Sequence, residues 1–464
     1  MITLLAAVLL GTVDFQPCEV DEQKAECGQV SVLENRAHQR GRKIDLHVAL
    51  LRHQAGRRSD DAIFILGGGP GQGSTALLGF AAERFKGSGR DLVFVDVRGT
   101  GQSNPLNCDF GGSDADPQGY LNDFLPLDRV RACREALSQR ADLTQYTTRT
   151  VVDDLQEVRE KLGYRTINLY GSSWGTRVSQ EFMRHYPKSV RMAILDGVVA
   201  PSMTTPATFA RDGQISLEGV FALCAADAGC RAAYPALLED YQAMMQRIAN
   251  GIEVSVTDPK TKKEVRLQVN RGLLGETFRN FLYSPEVYVR VPYIIHRVAR
   301  GQFEEYGLTA LNYGRGIRTL SFGMFLSVSC TDDISRLDFP TAKQASEGTL
   351  LGNYRVEQQV AACRLWPLAT PDPSRVSPLR SFIPTLLISG EFDPVTPPKY
   401  AAEVAQTLSN AVHAIVPKGS HVNITEGCLE RITIDAVKSG AVRNLDLTCL
   451  RNLPSPKFVV SGGE

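Results

Sequence analysis

A serine enclosed by two glycines is the first group in this sequence that could do covalent chemistry. Gly171-Ser-Ser-Trp-Gly175 matches the pattern G-x-S-x-G, and it lies between an apolar run at 166–170 that predicts a strand and a helical pattern at about 176–185. A sharp turn in this context exposes the central serine, here Ser173, as a nucleophile. Ser173 would also lie at a helix N-terminus, where the helix dipole favours developing negative charge. The alternative is a glycine-rich turn with an inert serine.

One of the histidines must activate Ser173, because a serine hydroxyl is a weak nucleophile until a base takes its proton and a third group holds that base. With this kind of turn, an acid and then the histidine follow the serine in the chain. Four histidines follow Ser173. His185 falls in the helix after the turn, His296 in a helical segment and His413 within a predicted strand. His421 falls on a loop after the last predicted strand and is therefore the candidate base.

The candidate acid is Asp393, on the loop that follows the predicted strand at 384–389. Glu391 is closer to the end of that strand and is not preferred. Asp196, at the end of another predicted strand, is an alternative because an acid there could also reach the histidine. The competing interpretation of Asp393-Pro394 is ordinary turn chemistry.

A glycine-rich run at 67–71 follows the apolar strand that ends at Leu66, so its backbone N–H groups are open to close approach. Acyl transfer to a serine forms an oxyanion that needs hydrogen-bond donors. The backbone N–H groups of Gly69 and Trp174 are the candidates, since one donor comes from the residue after the nucleophile. A phosphate-binding loop is the rival interpretation, and we reject it because Ser74 stands where that motif needs lysine.

The elements around these residues alternate between strand and helix from 44 to 200. Short apolar runs at 62–66 and 92–95 predict buried strands of a parallel sheet. The helical spacing of apolar residues at 151–162 predicts a helix between strands. This alternation predicts an α/β fold, in which a mostly parallel sheet has helices on both faces.

Residues 201–377 interrupt the alternation and predict amphipathic helices with one hairpin at 252–269. The α/β pattern then returns at 384–389. A helical block inserted between two strands of one sheet forms a cap over the edge at which open α/β sheets bind ligands. The predicted organisation is therefore a core in two parts, 14–200 and 378–464, with a mainly helical cap at 201–377.

The charge balance and the N-terminus limit the expected partners. The chain has 51 basic and 51 acidic residues, whereas nucleic-acid binders and polybasic membrane binders carry a basic excess, so neither partner is expected. The apolar run at 1–13 is too short to span a bilayer, and no stable membrane insertion is expected. This run matches the hydrophobic part of a secretory signal peptide. No Lys or Arg precedes it, however, and a first strand of the folded domain is the alternative.

The ten cysteines favour an oxidising compartment, because an even number in close pairs is typical of disulfide-bonded exported proteins. The expected location is therefore periplasmic or secreted. Free cysteines packed in a core are the alternative. A cysteine zinc site is not expected, since the chain has no Cys-x-x-Cys. Sequence alone does not fix the connectivity, and nearest-neighbour pairing, the simplest arrangement, gives Cys18–Cys27, Cys108–Cys133, Cys224–Cys230, Cys330–Cys363 and Cys428–Cys449.

Together these motifs resemble the prolyl aminopeptidase and tripeptidyl aminopeptidase branch of the α/β-hydrolases. The matching segments follow the family's order along most of the chain: 67–71, 96–103, 171–175, 390–397 and 419–421. Two positions depart from the family, because Gly67 stands where it often has histidine and Trp174 where tripeptidyl-type members often have tyrosine. The paired cysteines and the C-terminal region resemble the exported tripeptidyl-type members more than the cytoplasmic prolyl ones.

The resemblance implies an exopeptidase that holds the free α-amino group of a peptide with carboxylates from the cap. Asp332, Asp333 and Glu357 are the candidates in this sequence, and solvated acids in a loop are the alternative interpretation. No oligomeric state is predicted.

The implied reaction is acyl transfer to Ser173 and then hydrolysis by water that His421 activates, with no metal or organic cofactor. One residue or a short peptide would leave from the N-terminus of the substrate. A carboxylesterase of the same fold is one alternative. A non-catalytic binding protein is another, although a complete set of serine, acid and histidine argues against it.

Overall fold

The fold is built around one large sheet. The computed structural model describes residues 13–54 and 59–460, so nearly all of the predicted signal segment at 1–13 lies outside the described residues. The strands within these ranges are β1 (Gln16–Val20), β2 (Gln23–Leu33), β3 (Lys43–Leu51), β4 (Ala62–Leu66), β5 (Asp91–Val95), β6 (Ile167–Ser172), β7 (Val190–Asp196), β8 (Ile252–Thr257), β9 (Glu264–Val269), β10 (Thr385–Gly390) and β11 (Ala411–Val416).

Nine of these described strands form a single sheet in the order β1-β2-β3-β5-β4-β6-β7-β10-β11. From β5 to β11 every neighbouring pair is parallel, whereas β1, β2 and β3 are joined to the sheet by antiparallel pairs. β4 and β5 are buried along their whole length, as parallel strands covered on both faces must be. The predicted α/β fold with a mostly parallel sheet is confirmed.

Helices cover both faces of this sheet and also form most of the segment inserted between β7 and β10. The α-helices of the described ranges are α1 (Leu78–Arg84), α2 (Leu127–Ser138), α3 (Thr148–Leu162), α4 (Trp174–His185), α5 (Phe209–Ala226), α6 (Ala228–Ala233), α7 (Leu237–Arg247), α8 (Arg271–Phe281), α9 (Pro285–Tyr288), α10 (Val291–Ala299), α11 (Glu304–Ile317), α12 (Phe322–Asp332), α13 (Phe339–Ser346), α14 (Tyr354–Cys363), α15 (Pro398–Ala405) and α16 (Leu429–Ser439).

Successive side chains of one strand point to opposite faces, and each face has its own core. Phe64 and Leu66 of β4 belong to a core that includes residues of α3, α4 and α15. Ile63 and Ile65 of the same strand belong to a second core, with residues of α1 and α16. The sheet is therefore the middle layer of three, which explains the continuous apolar runs of its parallel strands.

The segment between β7 and β10 contains α5 to α14 and the predicted hairpin, which is β8 and β9. Most of its apolar side chains form a third core, including Leu274, Phe278 and Leu311. α12 differs, because Phe322 and Leu326 pack into the core of the main sheet. The inserted segment is thus mainly helical, as predicted, but part of it is built into the sheet domain.

All ten cysteines lie in the described part of the chain and form five disulfides in the predicted nearest-neighbour pairing. The disulfide expectation is confirmed. Of the helices in the described ranges, none combines the length and apolar character that crossing a membrane requires.

Candidate active site

Ser173 occupies the turn between β6 and α4, and its backbone adopts φ 53° and ψ −121°. Non-glycine residues rarely adopt a positive φ, and they do so where surrounding contacts hold them. One such contact is the Ser173 N–H group, which donates a hydrogen bond to Asp196 O at 3.0 Å. The predicted strand–turn–helix is therefore present, with the serine at its apex.

The glycines around Ser173 are required by close backbone contacts. A Cβ atom at Gly171 would collide with Gly175 O, and one at Gly175 would collide with Leu66 O. A Cβ atom at Gly68 would lie only 3.1 Å from Ser173 Cβ. The G-x-S-x-G pattern and the run at 67–71 thus meet across β4 and β6, which are neighbours in the sheet.

The imidazole of His421 is held by Asp393. His421 Nδ1 lies 2.8 Å from Asp393 Oδ2, and the side chains are 7% and 0% exposed. The Asp393 carboxylate also accepts the Thr396 hydroxyl at 2.6 Å and the N–H groups of Val395 and Thr396 at 2.8 Å each. Thr396 Oγ1 lies 3.1 Å from His421 Nδ1 as well. This geometry directs His421 Nδ1 towards Asp393. The other ring nitrogen, Nε2, makes no contact with the acid.

Asp393 is charged at neutral pH in this environment. Burial by itself raises the pKa of a carboxyl group, but the His421 imidazole and the hydrogen bonds from His421 and Thr396 outweigh burial and hold the pKa of Asp393 below its ordinary value. A buried carboxylate in this position can orient an imidazole and stabilise the imidazolium.

Asp196, the alternative acid, has a different set of partners. Its carboxylate accepts the N–H groups of Asn423 and Ile424, each at 2.9 Å, and no hydrogen bond joins it to the His421 ring. Burial raises the pKa of Asp196 to about 6, against the effect of these N–H groups. Asp196 therefore anchors the backbone just after His421.

Two other histidines considered above have partners of their own. His413 Nε2 lies 3.1 Å from Ser389 Oγ, and burial lowers its pKa. His296 Nδ1 lies 2.8 Å from Asp240 Oδ2 in the inserted segment. Neither lines the cavity that contains Ser173.

Gly69 and Trp174, whose backbone N–H groups are the candidate donors, line the same cavity as Ser173. Among the hydrogen bonds of the described residues, neither amide donates to a protein acceptor, whereas the neighbouring Gly68 N–H is already bonded to Gln72 Oε1 at 3.2 Å. Trp174 is also the first residue of α4, so the helix dipole adds to its donor strength. These two amides can serve a developing oxyanion.

Ser173, His421 and both amides line one cavity of about 860 Å³. Its walls come from the loop after β4 and from α5, α8, α11, α12 and α14 of the inserted segment. Among the described residues, three arginines line this cavity, Arg177, Arg279 and Arg355, and no carboxylate does. The candidate nucleophile and base therefore share their cavity with three arginine side chains.

The structure does not bring the three predicted amine-binding acids to this cavity. Asp333 forms a buried ion pair with Arg177, with N–O distances of 2.9 and 3.1 Å. Asp332 accepts the Thr148 hydroxyl at 2.6 Å, and burial raises its pKa. The side chain of Glu357 is 51% exposed and faces Lys343.

Sequence reasoning missed a buried carboxylate directly behind the cavity wall. Glu276 is fully buried and bridges two lining residues, Arg279 at 2.7 Å and Arg355 at 3.2 Å. Its Oε2 atom makes these contacts, while Oε1 has no hydrogen-bond partner. The i,i+3 spacing of Glu276 and Arg279 on a predicted helix was a signal for the pair, but not for its position at the cavity that Ser173 lines.

Sequence relatives with hydrolase names share long segments with this chain. The serine protease Hip1 of Mycobacterium tuberculosis is 26% identical over 410 residues, which cover 79% of this chain and 76% of Hip1. The tripeptidyl aminopeptidase of Streptomyces lividans is 28% identical over 220 residues, 41% of this chain and 39% of that protein. The proline iminopeptidase of Lactobacillus delbrueckii subsp. lactis is 30% identical over 149 residues, 31% and 39% of the two chains.

The family comparison covers most of the chain, since the model of the α/β-hydrolase fold matches residues 61–427. This match spans the sheet strands β4 to β11, the inserted segment and the loop that carries His421. The chain therefore belongs to the α/β-hydrolase fold family, and it is a serine hydrolase.

Proposed function

We propose that this protein is a serine peptidase that removes N-terminal residues or short peptides, with Ser173 as nucleophile, His421 as base and Asp393 as the acid that orients His421. The observation that carries the proposal is the 2.8 Å contact between His421 Nδ1 and Asp393 Oδ2. His421 and Ser173 line the same cavity. Asp393 is preferred to Asp196 because only Asp393 contacts the imidazole.

The reaction proceeds in two acyl-transfer steps. His421 Nε2 takes the Ser173 hydroxyl proton as Oγ attacks the substrate carbonyl carbon, and the N–H groups of Gly69 and Trp174 hold the oxyanion. The tetrahedral intermediate collapses with loss of the amine, which takes its proton from His421. A water molecule, deprotonated by His421, then attacks the acyl-enzyme carbonyl, and His421 returns that proton to Ser173 Oγ as the carboxylic acid product leaves.

A peptide end, rather than the middle of a chain, is the substrate that this cavity favours. The inserted segment forms much of the wall of this cavity of about 860 Å³, and such a wall favours a substrate that ends inside it. The tripeptidyl aminopeptidase and proline iminopeptidase relatives are named for removal of N-terminal units. This combination supports an exopeptidase over an endopeptidase.

The free amine of such a substrate needs a carboxylate partner, because a buried charge without one is strongly unfavourable. Glu276 is the acid that we assign to this role. It lies directly behind the wall residues Arg279 and Arg355, and its Oε1 atom has no hydrogen-bond partner. Burial raises the pKa of Glu276, but the charges and hydrogen bonds of Arg279 and Arg355 outweigh burial and hold that pKa below its ordinary value, so the group is a carboxylate at neutral pH.

A carboxylesterase is the second candidate, and the cavity wall itself favours it. Among the described residues no carboxylate lines the cavity, and Arg279 and Arg355 share the single charge of Glu276. A neutral or anionic ester would need no ammonium acceptor. The same nucleophile, base and oxyanion amides would cleave it.

Matched substrates separate these two functions. Purified protein is assayed with chromogenic aminoacyl and tripeptidyl substrates, with their N-acetylated forms, and with a small neutral ester. The peptidase proposal predicts that acetylation of the amine abolishes peptide cleavage while ester hydrolysis continues. Equal cleavage of free and acetylated peptides would contradict an exopeptidase.

The role of Glu276 is tested by Glu276→Gln, with Glu357→Gln as the control on an exposed acid. We expect Glu276→Gln to lower kcat/KM for free-amine peptides about 10–100-fold, which corresponds to the loss of one hydrogen bond to a charged group. Hydrolysis of the neutral ester reports on the integrity of the site and should fall much less. An equal fall for both substrates would instead mean that Glu276 only holds the two arginines in place.

The compartment proposed for this activity is the periplasm or the extracellular space. Five disulfides join the ten cysteines, and such bonds persist in oxidising compartments. The peptides that the enzyme encounters would then be those outside the cytoplasm.

A further inference from the structure

Three potential ligand side chains meet at the C-terminal end of α4, far from the nucleophile. Glu181 and His185 lie four residues apart on the same face of α4, and Asp372 approaches them from the segment after α14. His185 Nε2 lies 3.5 Å from Glu181 Oε2 and 3.6 Å from Asp372 Oδ2. The three ligand atoms are all within 4.8 Å of one another.

The atoms that face each other in this cluster are not hydrogen-bonded. Glu181 is 3% exposed, and neither its Oε2 atom nor His185 Nε2 has a hydrogen-bond partner. A direct N–H···O bond would bring the heavy atoms to about 2.7–3.2 Å. A buried carboxylate oxygen and a buried imidazole nitrogen thus point at a common position without bonding to each other.

We propose that Glu181, His185 and Asp372 bind one divalent transition-metal ion, with zinc as the best fit. Zinc takes nitrogen and carboxylate oxygen at about 2.0–2.2 Å in tetrahedral geometry, which separates neighbouring ligand atoms by about 3.3–3.6 Å. The two distances from His185 Nε2 agree with this separation. An imidazole ligand favours zinc over magnesium or calcium, which prefer oxygen ligands alone.

The other oxygen of each carboxylate is already held, as ligands in metal sites usually are. Arg184 Nε donates to Glu181 Oε1 at 3.3 Å. The Ser374 N–H and hydroxyl groups donate to Asp372 Oδ1 at 2.8 and 2.7 Å. Each acid therefore presents one free oxygen to the shared position. Arg149 Nε is 4.0 Å from Asp372 Oδ2, but the guanidinium contacts Asp153 more closely, at 2.7 Å.

The proposed metal is structural and does not take part in the hydrolysis. Ser173 precedes the first residue of α4 and His185 is its last, so about 18 Å of helix separates them at 1.5 Å per residue. The metal would join the end of the nucleophile helix to the segment that leads back into the sheet at β10. Glu181 and Asp372 also border a cavity of about 440 Å³, from which a water molecule can supply the fourth ligand.

The test uses the full-length, disulfide-intact protein with any affinity tag removed. The protein is equilibrated with zinc, desalted and analysed for bound metal by mass spectrometry, beside His185→Gln, Asp372→Asn and the control His296→Gln. His296 is a suitable control because it also faces an acid, Asp240, but at an ordinary hydrogen-bond distance of 2.8 Å. We expect about one zinc per chain in the parent and in His296→Gln, and a loss of at least tenfold in retained zinc in the other two variants.

A measurement on the parent protein guards against variants that fail to fold. Crystals grown with zinc should give an anomalous peak at the zinc edge between the three side chains, and zinc should raise the melting temperature while magnesium should not. Failure of the parent to retain zinc, or equal retention by His185→Gln, would overturn the proposal. The cluster would then be only a contact of His185 with two carboxylates.

Discussion

The carboxylate of Asp196 accepts the backbone N–H of Asn423 at 2.9 Å from both of its oxygens. Asn423 is the second residue after His421, so this contact fixes the loop that presents the imidazole. Two aspartates thus act on His421 from different directions. Asp393 contacts the ring, and Asp196 holds the backbone.

The first prediction separates these two roles. Asp393→Asn should lower kcat about 10⁴-fold, because an amide leaves the imidazole in the wrong tautomer. Asp196→Asn should reduce kcat much less, because Asp196 holds the backbone after His421 and makes no hydrogen bond to the imidazole. Steady-state kinetics and denaturant unfolding of both variants check this. If Asp196→Asn is the variant that loses activity while Asp393→Asn is mild, the acid has been assigned to the wrong strand.

The second prediction concerns stability against pH. Burial raises the pKa of Asp196 from an ordinary value near 4 to about 6. The folded state therefore binds the carboxyl proton of Asp196 more tightly than the unfolded chain does. Asp196 therefore reduces stability above pH 6, and this penalty disappears as pH falls towards 4. A pKa rise of this size corresponds to a loss of about 3 kcal/mol in the free energy of unfolding above pH 6.

The measurement for this second prediction is the difference in unfolding free energy between the parent and Asp196→Asn. That difference should grow in favour of the parent between pH 7 and pH 4.5. Titrating groups that do not interact with Asp196 are common to both proteins, so their contributions to this difference cancel. Parallel stability curves for the two proteins would show that Asp196 does not titrate in this range.

The third prediction concerns Thr396, whose hydroxyl donates to Asp393 Oδ2 at 2.6 Å and lies 3.1 Å from His421 Nδ1. Thr396→Val removes a hydrogen bond to a charged group and should lower kcat about 10–100-fold with little change in KM. Thr396→Ser keeps the hydroxyl and should restore most of the activity. Equal losses in both variants would assign the effect to packing of the methyl group.

The fourth prediction concerns the disulfides and the compartment. Protein from its native source should show almost no free thiol when unfolded without reductant. Removing Cys330–Cys363, which joins α12 to α14, by Cys330→Ala with Cys363→Ala should lower the free energy of unfolding by about 2–5 kcal/mol. Titration of ten free thiols in the native-source protein would contradict export.

The parts of the fold that could be predicted are those whose residues are constrained by their immediate neighbours. Buried parallel strands need apolar residues on both faces, which is why 62–66 was predicted with the bounds that the structure has. The elbow at Ser173 was found because a tight turn admits only glycine at fixed spacing. Asp393 and His421 followed from the order of residues along the chain and contact each other in the structure.

The parts that could not be predicted depend on contacts between distant segments. Asp333 was an amine-binding candidate because the family resemblance implies a carboxylate from the cap, but it pairs with Arg177, which is 156 residues away in the chain. Glu276 and Arg279 were both within a predicted helix, yet nothing local places that helix beside Ser173. The β1–β2 pair at the sheet edge was missed because β1 is partly exposed and carries mixed residues.

The identity of the nucleophile is the central claim of this account, and covalent labelling tests it most directly. The parent protein, Ser173→Ala and the control Ser172→Ala are treated with a fluorophosphonate. Intact-mass spectrometry then counts the adducts, and peptide mass spectrometry locates them. Ser172 is the matched control because it precedes Ser173 and lines the same cavity. We predict one adduct per chain on Ser173 in the parent and in Ser172→Ala, no adduct in Ser173→Ala, and a loss of hydrolytic rate of several orders of magnitude in that variant alone. An adduct on another serine, or labelling that persists in Ser173→Ala, would contradict the account.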